Sequence, residues 1–103
     1  MAQAVEFDAL GKRFALRMTI NALCQIEAEA KIPFSAVVEA MRGGSILTLR
    51  QMFGAALGGK LPADRVGEII DDIGIERAGD LLSQAMALAF PQDDGAEETQ
   101  SGN

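Results

Sequence analysis

The chain has 103 residues, the length of one domain, and 49% of them are apolar, enough for a core built from aliphatic side chains and Phe, since Trp and Tyr are absent. Its formal net charge is −6 and it has no block of Lys and Arg to neutralise a phosphate backbone, which argues against direct nucleic-acid binding. A single cysteine and no histidine leave no internal disulfide, no zinc ligand set and no imidazole for acid–base work.

The negative charge is concentrated at one end. After Phe90 the segment PQDDGAEETQSGN holds Asp93, Asp94, Glu97 and Glu98 without any Lys or Arg, so residues 1–90 sum to only −2. The pattern divides the chain into one compact domain over 1–90 and an acidic tail over 91–103, too polar to join a core and expected to be disordered. The first residues show no basic start followed by an apolar run, so no signal peptide is expected. No uncharged apolar stretch reaches the roughly 18–20 residues of a membrane span. A soluble, cytoplasmic protein is the expectation.

Val5 and Phe7 flank Glu6, and Phe14, Leu16 and Met18 flank Ala15 and Arg17, the period-2 alternation of half-buried strands. Gly11 lies between the two runs, where a hairpin loop needs positive φ. The reading is a β-hairpin over 3–9 and 13–18.

From Thr19 the period lengthens. Thr19 is placed to cap a helix running to Ala30, with Ile20, Leu23, Cys24 and Ala30 mostly on its apolar face. Pro33 opens a second helix with Phe34, Val37, Val38 and Met41 at i, i+3, i+4 and i+7, closed by Gly43-Gly44 as a left-handed cap. Thr48 and Gln51 have the spacing of a capping box for a third, with the stripe Leu49, Met52, Phe53, Ala56 and Leu57 and a stop at Gly58-Gly59. Pro62 begins a fourth, with Val66, Ile69, Ile70 and Ile73, ended by Gly74. The fifth spans Glu76 to Phe90 through Ala78, Leu81, Leu82, Ala85 and Ala89, and Pro91 closes it. Helices this short are marginal alone in water, so the stripes must pack on one another and on the hairpin. The fold class is therefore α+β: an N-terminal β-hairpin on a bundle of about five short α-helices.

A search for chemistry yields little. Gly54 to Lys60 matches the letters GxxxxGK, but a phosphate-binding loop must follow a strand, open a helix and carry Ser or Thr next, and residue 61 is Leu. The acidic run Asp71-Asp72-Ile73-Gly74-Ile75-Glu76 lacks the alternating oxygen ligands of a calcium loop. Ser45 has no preceding acid, as an attachment serine for phosphopantetheine would, and reads as a loop or cap residue. Cys24 has no activating neighbour and reads as a buried structural thiol. Glu27 and Glu29, two apart on a helix, do not face one another. No catalytic, cofactor-binding or metal-binding residues are assigned, and the chain reads as a non-enzyme. Five methionines remain, soft side chains suited to a binding groove between helices.

The order of features carries a resemblance. The strand pair VEFDALGKRFALRMT leads to Thr19, Ala22, Leu23, Ile26 and Glu27 in a T-x-x-A-L-x-x-I-E segment. Next come the helix from Leu49 to Leu57 and the V-G-E-I-I-x-x-I-G segment from Val66 to Gly74. Over residues 4–90 this resembles the small tail protein of gene transfer agents and related phages, grouped with the phage tail assembly chaperones. The resemblance implies a protein that binds the tape-measure protein, keeps its long hydrophobic helices soluble and helps recruit tail-tube subunits. It does not distinguish such a chaperone from a structural tail component of the particle. Two short strands favour the assembly factor, since a tube subunit needs long strands that pair between neighbours. The anchors expected for such a partner are Met52, Phe53, Met86 and Phe90, in an apolar groove with an acidic rim; self-association stays open.

Two competing readings belong to other classes. A helical protein-binding regulator unrelated to tails fits the same bundle. A helix-turn-helix built on the third and fourth helices fits less well, because Glu68, Asp71 and Asp72 accompany Arg65 where a recognition helix needs basic and amide side chains.

Overall fold

A computed structural model of the chain describes residues 3–90, and it is α+β: a two-stranded antiparallel sheet followed by five α-helices. The acidic segment from Pro91 onward lies outside the described residues. Strands β1 (Val5–Ala9) and β2 (Lys12–Leu16) pair with Val5 opposite Leu16, Phe7 opposite Phe14 and Ala9 opposite Lys12. Along β1, Val5, Phe7 and Ala9 are buried while Glu6 and Asp8 face solvent, as the alternation predicts. On that outer side Arg13 reaches Glu6 and Asp8 at 3.2 Å each. The Asp8 hydrogen bond first, then that of Glu6, raise the pKa of the Arg13 guanidinium above its ordinary value.

The register leaves Leu10 and Gly11 as a two-residue turn, with φ of 53° and 73°. Positive φ at both central positions is what a type I′ hairpin turn requires. For Leu10 this backbone costs about 1–2 kcal/mol. Its N–H compensates by donating to Asp72 Oδ2 at 2.9 Å, which fastens the hairpin tip to the fourth helix.

The helices are α1 (Ile20–Ala30), α2 (Phe34–Arg42), α3 (Ile46–Ala56), α4 (Ala63–Ile73) and α5 (Ile75–Ala89). Thr19 caps α1 as expected, its Oγ1 accepting from the Ala22 N–H at 3.1 Å. Pro33 has no side-chain oxygen to offer α2, and Glu27 of α1 supplies one: its Oε2 accepts from the Phe34 N–H at 2.8 Å. A carboxylate there also suits the positive end of the helix dipole.

The start of α3 departs from the capping-box expectation. Ser45 is the cap, its Oγ accepting from the Thr48 N–H at 3.2 Å, and Thr48 lies inside the first turn. The reason is the way α2 ends. The N–H of Gly44 donates to the Met41 carbonyl at 3.0 Å and that of Ser45 to Ala40 at 3.1 Å, the paired bonds of a Schellman motif. Ser45 thus closes one helix and opens the next, leaving no room for a longer loop.

Helix α3 lies at the centre, packed against the other four helices and β2. Leu49, Met52, Phe53, Ala55 and Ala56 are its buried residues. The Phe53 ring meets Phe7 edge-on at 5.6 Å, and Phe7 stacks on Phe14 at 5.7 Å. The Arg17 N–H donates to the Ala56 carbonyl at 2.9 Å, tying the end of the hairpin to the end of α3. Gly54 admits α4 closely, since a Cβ there would sit 3.3 Å from Val66 Cγ2.

Two expectations about faces are overturned. Met52 and Phe53 are fully buried, so neither is a surface anchor for a partner; a central helix has neighbours on every side that bears its stripe. On α1 the buried pair is Ala22 and Ile26, whereas Ile20 stays 70% exposed and Cys24 is exposed rather than a core thiol. Helix α1 lies against α3 through small Ala22 and Ile26 one turn later, which rotates Ile20 and Cys24 outward.

The α4–α5 joint is a single residue. Gly74 has φ 94° and ψ 148°, a conformation reserved almost entirely for glycine, and it ends α4 and begins α5. Gly74→Ala is predicted to lower stability by about 1–3 kcal/mol in a denaturant or thermal melt. An unchanged midpoint would show that the joint is not held in this geometry.

Candidate protein-binding groove

Two apolar stripes run on past the core that buries them. On α3 the stripe Leu49, Met52, Phe53 is extended one turn backward by Ile46, which is 56% exposed. On α5 the stripe Ala78, Leu81, Leu82 is extended one turn backward by Ile75, 54% exposed. Residues three and four apart share a helix face, so each isoleucine stands in line with a buried stripe and beyond its cover. Both positions follow from the short connections. The Ser45 cap fixes Ile46 as the first residue of α3, and the Gly74 joint fixes Ile75 as the first residue of α5.

Between them lies an open groove of about 390 Å³. Met41, Ile46, Leu49 and Ile75 supply its apolar wall, and Gly44, Ser45, Gly79 and Ser83 its small lining residues. Glu76 and Asp80 complete the lining from α5. These two carboxylates are four residues apart on one helix face, where like charges mildly repel. Among the described residues neither has an ion-pair partner; the cations that do pair are Arg13, Arg42 and Arg65.

Gly79 is informative. A glycine inside a helix costs about 0.5–1 kcal/mol relative to alanine. Nothing lies within 4 Å of where its Cβ would stand, so no close packing requires it. What the absent side chain leaves clear is the groove.

A second depression of about 310 Å³ lies among α1, α3 and α4 and includes Leu47, Leu61, Val66, Gln25, Glu29 and Arg50. Its polar groups are partly engaged with each other, Gln25 Nε2 donating to Glu29 at 3.2 Å. It is the more polar and less apolar of the two surfaces.

Of the anchors expected from sequence, Met52 and Phe53 are core. Met86 and Phe90 are half-buried against that core at the far end of α5, and neither lines the two grooves. The Phe90 ring lies 6.3 Å from that of Phe34 at 50°, and its N–H donates to the Met86 carbonyl at 2.9 Å. Ile46, Ile75 and Gly79 were not picked out by the sequence reading. For the two isoleucines the signal is present: Ile46 is three residues before Leu49 and Ile75 three before Ala78. Starting both helices late concealed it.

The remaining motifs take ordinary structural places. Gly54 lies inside α3 and Gly59 follows its end, so no strand precedes the GxxxxGK letters. Among the described residues no group of three or more His, Cys, Asp or Glu could hold a metal ion, and no helix is long and apolar enough to cross a membrane. The chain matches no protein-family model, no curated protein and no solved structure.

If the glycine serves the groove and not the fold, Gly79→Ala stabilises the protein by about 0.5–1 kcal/mol. A chemical-denaturation curve checks this; destabilisation would mean that α5 needs glycine there for packing.

Proposed function

We propose that this chain is a non-catalytic, cytoplasmic protein-binding domain that works as a tail assembly chaperone of a phage-like particle. In this role it binds the tape-measure protein and helps bring tail-tube subunits to it. The carrying observation is the groove between the starts of α3 and α5, apolar on its walls and flanked by the carboxylates of Glu76 and Asp80, which have no ion-pair partner among the described residues.

Three features support the reading. The order of elements over residues 4–90 follows the pattern that resembles the tail chaperones, hairpin first and then five short helices. The described strands are five residues each, short for a subunit that must pair strands with its neighbours into a tube. A holdase for amphipathic helices needs exposed apolar side chains together with enough charge nearby to stay dissolved, and Ile46, Ile75, Glu76 and Asp80 combine the two.

The test is co-expression of the tagged chain with the tape-measure and tail-tube proteins encoded beside it. The tape measure should be soluble only with this chain and should copurify with it. Recovery of the chain in purified particles without binding to either protein would instead make it a structural tail component.

A further inference from the structure

We infer that the α3–α5 groove takes a single amphipathic helix carrying aliphatic side chains and an adjacent Lys or Arg, with Gly79 giving that helix room to seat. The inference rests on the protein-binding reading above and specifies the partner's chemistry.

The backbone decides the conformation of the occupant. The groove is walled by helices, neither strand lines it, and the N–H groups left over at the starts of α3 and α5 run along the helix axes and form no strand edge. An extended segment lying there would find no alternating row of N–H and C=O groups to pair with along its length and would leave most of its own backbone groups unsatisfied. A helix brings its hydrogen bonds with it and offers apolar side chains at i, i+3 and i+4.

The side chains decide its composition. Ile46 from α3 and Ile75 from α5 line the groove, each more than half exposed, with Met41 in the last turn of α2 as an adaptable contact. Aliphatic residues of the incoming helix fit between them. Glu76 and Asp80 form a pair of like charges one turn apart with no ion-pair partner among the described residues. A Lys or Arg beside the apolar anchors relieves that repulsion and sets the direction in which the helix lies. Gly79, between the two carboxylates on α5, leaves the approach unobstructed. A Cβ at this groove-lining position meets no other atom within 4 Å, so a side chain can be added there without a clash at its base.

The probe is a pair of synthetic helical peptides of about five turns. They share one leucine face, flanked by lysines in one and by glutamates in the other. The lysine peptide should bind the full chain at least about tenfold tighter than the glutamate peptide. Gly79→Leu should weaken lysine-peptide binding by about tenfold or more while the protein melts no lower than wild type. Glu76→Gln with Asp80→Asn should remove most of the preference between peptides and flatten its salt dependence. Equal binding of both peptides, or wild-type binding by Gly79→Leu, overturns the inference.

Failure here is distinguishable from failure of the tail reading. If Gly79→Leu keeps the tape measure soluble as well as wild type does, the groove assignment is wrong and the chaperone reading survives. If the lysine peptide binds as predicted but the tape measure stays insoluble, the groove stands and the tail role falls.

Discussion

Phe53 must be kept from water on every side, and much of the architecture follows from how that is done. Its ring is fully buried and meets Phe7 of the hairpin edge-on, and Phe7 in turn stacks on Phe14 across the strand pair. An isolated two-stranded hairpin is at best marginally stable in water. Here the sheet gains an inner face because an aromatic from α3 reaches into it. In exchange the hairpin covers a side chain whose full burial contributes about 1.5–3 kcal/mol. With α1, α2, α4 and α5 around it as well, α3 buries its stripe from Leu49 onward. That is why the bulkiest residues of the stripe are unavailable to a partner.

The same centrality explains where the molecule does have apolar surface to offer. The helices are 9 to 15 residues long and joined by very short connections, one residue between α4 and α5 and three between α2 and α3. Such joints fix where each helix begins irrespective of how far the core extends. At α3 and α5 the stripe starts a turn before the core does, and Ile46 and Ile75 are left exposed along one groove. The hairpin tip, fastened through Leu10 to Asp72, holds the C-terminal end of α4 two residues before the joint at Gly74. Groove and core are in this sense consequences of one set of helix boundaries.

Much of the fold is legible from local pattern. The alternation around Val5 and Phe7 specifies the hairpin, Thr19 specifies the first cap, and Pro33, Pro62 and the glycine pairs separate the helices. Each signal is read from residues within a turn or two of one another. Locally Ser45 reads as a loop or cap residue, while Thr48 with Gln51 has the spacing of a capping box. The Schellman bonds ending α2 override it, and they depend on where the preceding helix stops. The face of α1 was misread for a related reason. Ile20 is more apolar than Ala22, but close approach to α3 selects the smaller side chain.

The site was harder to read than the fold. Phe and Met look like natural anchors, and hydrophobicity alone does not separate a stripe that is covered from one that overhangs. Coverage is set by the neighbouring elements, so Met52 and Phe53 went to the core while Ile46 and Ile75 stayed outside. Gly79 was invisible for the opposite reason: it contributes no side chain, and its meaning appears only when the space above it is seen to be open.

The most direct test of the groove is to titrate isotope-labelled protein with a soluble fragment of the tape-measure protein and follow backbone amides and isoleucine methyls by NMR. The account predicts that the largest changes fall on Ile46, Ile75, Gly79 and Asp80, with Phe53 and the outer face of the hairpin little affected. Changes centred instead on Met86 and Phe90, or on Glu6, Asp8 and Arg13, would contradict it.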